Sequence, residues 1–132
     1  MIASSLFLRR ALLADATFSG ASAILMTFGA GAFANLLNLP EVLFRETGLF
    51  LIAYTVLVGW LSTRVSAPKA LVIIVIAGNA AWTVASIALL LSSLVSPNLL
   101  GELVIAAQAI ATGAFAELQY LGLRRSSGVA AA

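Results

Sequence analysis

The chain contains no cysteine and no histidine, and only 9% of its 132 residues are charged. The first two absences exclude disulfide bonds, thiolate chemistry, imidazole metal ligands and histidine-dependent catalytic triads. With 62% hydrophobic residues and a mean hydropathy of +1.11, the chain also has too little polar surface for a soluble domain of its length. The composition therefore indicates an integral membrane protein.

The chemistry of most enzymes is missing as well. The chain has no glycine-rich phosphate loop, no nucleophile elbow and no pair of acidic residues at helical spacing inside an apolar stretch. An enzyme that acts on lipid would need a nucleophile and a base, and neither can be assigned. We therefore expect no catalytic residue, no metal, no cofactor and no enzymatic activity. The seven basic residues lie at the ends of apolar segments and not in one patch, so no nucleic-acid partner is expected.

Four apolar stretches predict an all-α fold, a bundle of four transmembrane helices that uses residues 1–132 as a single membrane domain. The predicted spans are about 16–39, 43–62, 70–94 and 99–123. A short N-terminal segment, Met1 to Asp15, is predicted to lie at the membrane surface, because Arg9 and Arg10 stand among apolar residues. Asp15 is expected to be a solvated residue at the start of the first helix, or a partner of Arg9.

The second stretch has the shortest uncharged length, because Arg45 and Glu46 lie near its start, and it could be re-entrant. The distribution of basic residues favours a span. If this stretch crosses the membrane, Arg45 lies on one side and all the other basic residues lie on the opposite side. These are Arg9, Arg10, Arg64, Lys69, Arg124 and Arg125. We therefore expect both ends of the chain to be cytoplasmic.

Small residues form one face of the first and of the fourth predicted span, where close contact between helices is favoured in lipid. The predicted packing residues are Gly20, Ala23, Thr27, Gly31, Ala109 and Gly113. The fourth span carries a second polar stripe, Gln108, Thr112 and Gln119, nearly opposite Glu117. One stripe is expected to pack within the bundle, and the other against a second subunit or another protein.

Glu117 lies inside the fourth span, roughly 9 Å from its end. An ionisable residue at this depth is a functional-site candidate, and it is expected to face the interior of the bundle. Asn79, Tyr120 and Arg124 could join it in an intramembrane polar site. Alternatively, Glu117 pairs with a basic residue such as Arg124 and only fixes the rotation of the helix.

Three segments of the chain, Phe7 to Asp15, Gly78 to Trp82 and Ala116 to Arg125, resemble a group of small four-span bacterial inner-membrane proteins of unassigned function. The resemblance implies the fold and a location in the bacterial inner membrane, and it implies no activity.

We therefore expect a non-enzymatic structural or accessory protein, surrounded by lipid, that forms a homo-oligomer or joins a larger membrane complex. The alternative is a small oligomeric transporter or channel in which Glu117 provides a proton- or cation-responsive site.

Overall fold

The structure, a computed structural model, describes residues 1–128, which form five α-helices and three very short β-strands. The helices are α1 (Leu6–Phe28), α2 (Ala30–Leu37), α3 (Glu41–Ser62), α4 (Lys69–Leu91) and α5 (Leu99–Arg124), and the strands are β1 (Ile2–Ala3), β2 (Ser66–Ala67) and β3 (Ser127–Gly128). Four of the helices, α1, α3, α4 and α5, are long and apolar enough to cross a membrane. The predicted all-α fold with four membrane-spanning helices is confirmed.

The first long helix begins well before the predicted first span. Ser5 caps it by accepting a hydrogen bond from the Leu8 backbone N–H at 3.1 Å, and the helix continues unbroken to Phe28. The predicted surface segment, Met1 to Asp15, is therefore not a separate element, because its residues from Leu6 onward form the first turns of α1. As a result, Asp15 lies inside the helix and not at its start.

The predicted first span is also divided at its other end. The backbone leaves the helical conformation at Gly29, and the short helix α2 follows. Asn38 adopts a left-handed conformation with φ 55°, which ends α2 and turns the chain toward α3. Residues 16–39 therefore belong to two helices instead of one.

The second apolar stretch, for which a re-entrant segment was the alternative, forms α3 as one unbroken helix. Its C-terminal end leads into β2, which pairs with β1 in antiparallel orientation, and β1 pairs on its other side with β3. This register places Ile2 opposite both Ala67 and Gly128. The segment before α1, the α3–α4 connection and the segment after α5 thus meet at one end of the bundle, which we call the sheet end. The four long helices run the length of the bundle in alternating directions and produce this arrangement.

Asparagine side chains join the connections at the opposite end. Asn98 donates a hydrogen bond from its side chain to the Leu36 carbonyl at 2.8 Å and from its backbone N–H to the Leu37 carbonyl at 3.2 Å. Asn38 donates to the Ser96 carbonyl. The α4–α5 connection is therefore fastened to α2. Here α4 ends at Leu91, before the predicted limit at residue 94.

The bundle is built around α1, which packs along α3 and against α5, while α5 packs along α4. Glycines permit the closest approaches. A Cβ atom on Gly48 of α3 would lie 2.7 Å from the backbone nitrogen of Thr27, and one on Gly122 of α5 would lie 2.7 Å from the Cα atom of Leu8. The apolar core of the sheet end includes Leu8 and consists of Ile2, Leu8, Leu12, Ala16, Val58, Leu61, Ala67, Val72 and Val75.

Candidate functional site

A buried carboxylate, Asp15, collects hydrogen bonds from side chains on all four long helices. Its Oδ1 atom accepts from the Ser19 hydroxyl at 2.9 Å. Its Oδ2 atom accepts from the Tyr54 hydroxyl at 2.8 Å, from Asn79 Nδ2 at 2.8 Å and from Gln119 Nε2 at 2.7 Å. We call these five residues the Asp15 cluster. Asp15 and Gln119 are both 0% exposed to solvent, so the cluster lies in the interior of the bundle.

Local helix geometry explains how the cluster forms. Ser19 follows Asp15 by one helical turn and lies on the same face of α1. Tyr54, Asn79 and Gln119 project inward from α3, α4 and α5 respectively. Asn79 also donates to Gln119 Oε1 at 3.0 Å, so both hydrogens of its amide can be satisfied within the cluster. An amide without a hydrogen-bond partner in a membrane interior would cost on the order of several kcal/mol, and this network avoids that cost.

The donors that surround Asp15 are all neutral. Among the described residues, the single ion pair is Arg45–Glu41, which is exposed near the start of α3. No lysine or arginine of residues 1–128 therefore forms an ion pair with Asp15. Hydroxyl and amide dipoles alone solvate this carboxylate, and their fixed positions make it a junction of four helices.

The prediction that Asp15 is solvated or paired with Arg9 is wrong. Arg9 instead donates from Nε to the Ser62 carbonyl at 3.2 Å. The physical reason is the true start of α1 at Leu6, which places Asp15 more than two turns inside the helix, on the face that also buries Leu12 and Ser19. Continuing the helical period backward through the N-terminal segment would have revealed this face.

Glu117 occupies the opposite kind of environment. It lies on the exposed side of α5 and has no hydrogen-bond or ion-pair partner within residues 1–128. The expectation that it faces the bundle interior is therefore corrected. The buried face of α5 instead contains Thr112, Ala116 and Gln119. Because successive residues of a helix are rotated by about 100°, Glu117 lies on a different side of α5 from Ala116 and Gln119.

The four residues of the predicted polar site do not come together. Asn79 belongs to the Asp15 cluster, whereas Glu117 lies outside the bundle. Tyr120 is 50% exposed, and the guanidinium carbon of Arg124 lies over its ring, 5.9 Å from the centroid. Arg124 is thus engaged with Tyr120 and does not pair with Glu117.

The six predicted packing residues lie at two different helix interfaces. Three contacts place the residues of the first span against α3 or its start: a Cβ atom on Gly20 would meet Thr55, Thr27 meets Gly48, and a Cβ atom on Gly31 would meet Glu41. Ala23 is buried in α1, between Gly20 and Thr27. In α5, Ala109 accepts a hydrogen bond from Thr83 through its carbonyl, and a Cβ atom on Gly113 would lie 3.4 Å from the Thr83 hydroxyl.

A second polar layer joins α4 to α5 nearer the end of the bundle opposite the sheet end, which we call the far end. The Trp82 indole N–H donates to the Gln108 side-chain oxygen, and Gln108 Nε2 donates to the Ser86 hydroxyl at 2.9 Å. The hydroxyls of Thr83 and Thr112 lie 2.7 Å apart. The stripe of Gln108, Thr112 and Gln119 therefore packs within the bundle. On the other stripe, the carboxylate of Glu117 faces outward.

The described residues contain no group of three or more potential metal ligands. Within the cluster the Ser19 and Tyr54 hydroxyls both donate to Asp15, and the hydrogen bonds of the cluster join the four long helices. Comparisons of the chain with protein-family models, curated proteins and solved structures give no significant match.

Proposed function

We propose that this protein is a non-enzymatic structural or accessory component of a membrane assembly, and that it contacts another membrane-spanning chain through the outer face of α5. The partner is either a second copy of the chain or another membrane protein. The observation that carries the proposal is the position of Glu117, a carboxylate that is exposed on the outside of the bundle.

Glu117 precedes the end of α5 at Arg124 by about 10 Å, at roughly 1.5 Å per residue. A helix of this length exceeds the hydrocarbon thickness of about 30 Å by only a few ångströms at each end, so the carboxylate lies at the depth of the lipid chains. An ionisable side chain there is costly unless it is paired. Because residues 1–128 provide no partner, a second chain with a donor or cation at this depth would stabilise it.

The surface around Glu117 suits contact with a helix. Ala114, one turn earlier on α5, is exposed and small, so a neighbouring backbone could approach closely. Leu118 and Leu121 are each 41% exposed and would supply apolar contact area. A single charged group within an otherwise apolar and small surface is the pattern expected of a specific contact in lipid.

The assembly is proposed to lie in the bacterial inner membrane with the sheet end in the cytoplasm. All basic residues other than Arg45 lie at or near the sheet end, whereas Glu41, Glu46 and Glu102 lie near the far end. This asymmetry supports a cytoplasmic sheet end through the positive-inside rule. The resemblance to small bacterial inner-membrane proteins supports the choice of membrane.

A transporter built on Glu117 receives less support. That alternative needs Glu117, Asn79 and Tyr120 to share one site, yet Asn79 is bound within the Asp15 cluster and Tyr120 carries Arg124 over its ring. The structural role is therefore the stronger proposal.

The test compares Glu117→Gln with Glu102→Gln in complexes extracted from native membranes. Both replacements remove one exposed acid from α5, but Glu102 lies in the first turn at the far end. Native mass spectrometry in a mild detergent is expected to show the wild-type chain in complexes larger than its own 13.6 kDa. The mass of the partner distinguishes a second copy from another protein. E117Q is expected to weaken association by roughly tenfold, as for the loss of one hydrogen bond in a membrane, and E102Q is expected to have no effect.

Two results would contradict the proposal. One is a wild-type chain that stays monomeric with no protein partner, and the other is an E117Q variant that assembles as the wild type does.

A further inference from the structure

A groove between α4 and α5 opens at the sheet end of the bundle. It is open on one side and has a volume of about 580 Å³, within the range of about 300–1,000 Å³ that small-molecule sites occupy, and Met1, Ile2 and Ser126 border it at the sheet end. Its walls include Lys69, Ile73 and Ile76 from α4, and Tyr120, Leu123 and Arg124 from α5. Glu117 does not line it. We propose that this groove binds an anionic phospholipid, with the phosphate between Lys69 and Arg124.

The charges of the groove fit a phosphate group. Lys69 is the first residue of α4 and Arg124 is the last residue of α5, and both residues line the groove at the sheet end. Both side chains are exposed, and neither forms an ion pair within residues 1–128. Tyr120 holds the Arg124 guanidinium from one side. Two cations free of acidic partners, one of them oriented, suit a phosphate with several acceptor oxygens.

The apolar walls fit the remainder of a lipid. Ile73 and Ile76 follow Lys69 down one face of α4, and Leu123 lies opposite them on α5. Ile73 is 46% exposed, so an acyl chain that continues from the phosphate would cover apolar surface. A free phosphate ion would bind the two cations and leave this surface uncovered. Basic grooves between membrane helices typically bind lipid head groups in this way.

The test measures lipid binding to the purified chain by native mass spectrometry, with phosphatidylglycerol as the anionic lipid and phosphatidylcholine as the zwitterionic control. The double variant K69Q/R124Q removes the cations of the groove. Its matched control is R64Q/R125Q, which removes the same charge from two exposed arginines that, like Arg124, lie over aromatic rings but do not line the groove. K69Q/R124Q is expected to lower phosphatidylglycerol affinity about 25-fold, at roughly fivefold for each basic residue, and the control by less than about threefold.

A second pair of variants tests the apolar part of the site. Ile73→Trp would fill the groove without changing its charge, and the neighbouring exposed Ile74→Trp would leave it open. I73W is expected to block phosphatidylglycerol binding and I74W is not. Inorganic phosphate is expected not to displace the bound lipid.

Three outcomes would overturn the proposal. They are equal retention of both lipids by the wild type, equal losses in the two double variants, and full displacement of lipid by inorganic phosphate. The last outcome would identify a site for the free anion.

Discussion

Replacement of Asp15 by alanine is expected to lower the free energy of unfolding of the isolated chain by about 3 kcal/mol. The variant would leave the hydroxyl of Tyr54 and the amides of Asn79 and Gln119 without their common acceptor. Each buried donor left unsatisfied costs roughly 1–3 kcal/mol, and these donors come from three different helices. Reversible unfolding in detergent measures the loss.

Burying the charge of Asp15 costs free energy, and D15A removes that cost. We expect the cost of the unpaired donors to be larger, so the variant is less stable than the wild type. Removing one partner of a buried polar network leaves the other partners unpaired, which is the destabilising case. Asp15→Asn tests this distinction, because it removes the charge at nearly constant volume while directing new N–H groups toward existing donors. We expect D15N to lose nearly as much stability as D15A. Loss of less than about 0.5 kcal/mol in both variants, as expected for the surface change E102Q, would contradict the account.

Replacement of Gly122 by alanine is expected to cost about 2 kcal/mol, within the range for overpacking of a core. The added Cβ atom would lie 2.7 Å from Leu8 Cα, 2.9 Å from Leu8 Cβ and 3.0 Å from the Leu8 nitrogen. These atoms belong to the backbone or its first side-chain carbon, so no side-chain rotation can relieve the contact. The helices α1 and α5 would have to separate, and the hydrogen bond from Gln119 to Asp15 would lengthen with them.

The matched control is Gly78→Ala on α4, where an added Cβ atom has no neighbour within 4 Å. This variant is expected to unfold at the same free energy as the wild type or up to about 1 kcal/mol higher, since alanine favours the helix over glycine. The same unfolding experiment in detergent measures both variants. Equal stabilities of G122A and G78A would show that α1 and α5 do not approach as closely as Leu8 and Gly122 indicate.

The helices of the bundle could largely be predicted from the sequence. Long apolar segments have few stable alternatives in lipid, so the four spans follow from hydropathy and length. The distribution of basic residues also favoured a crossing by the second stretch, which forms α3. The last span, predicted over 99–123, corresponds to α5 at Leu99–Arg124.

The roles of the two acids inside the spans could not be predicted in the same way. A carboxylate near the start of an apolar stretch resembles a solvated helix-start residue, and only the true start of α1 at Leu6 shows that Asp15 is inside. Its partner Gln119 is 104 residues away along the chain. Contacts of that separation depend on how the helices are arranged, which hydropathy does not specify.

The rotation of α5 presented a separate difficulty. This helix carries polar residues on both sides, so its helical period alone does not identify the inward face. The donors of Gln119 and Gln108 find acceptors on α1 and α4, and this fixes the rotation that leaves Glu117 outside. The buried Asp15 thus joins the helices of one chain, and Glu117 is free to contact a second chain, as proposed.

The most direct test of the Asp15 cluster is a double-mutant cycle between Asp15→Ala and Gln119→Leu. If the two side chains share a hydrogen bond across the bundle, their effects on unfolding should be non-additive by about 1–2 kcal/mol. Thr112→Val serves as the control partner, because it lies roughly 10 Å from Gln119 along α5 and bonds to Thr83 instead. D15A and T112V are expected to add within about 0.5 kcal/mol. Additive effects of D15A and Q119L would contradict a carboxylate that joins the first and last spans.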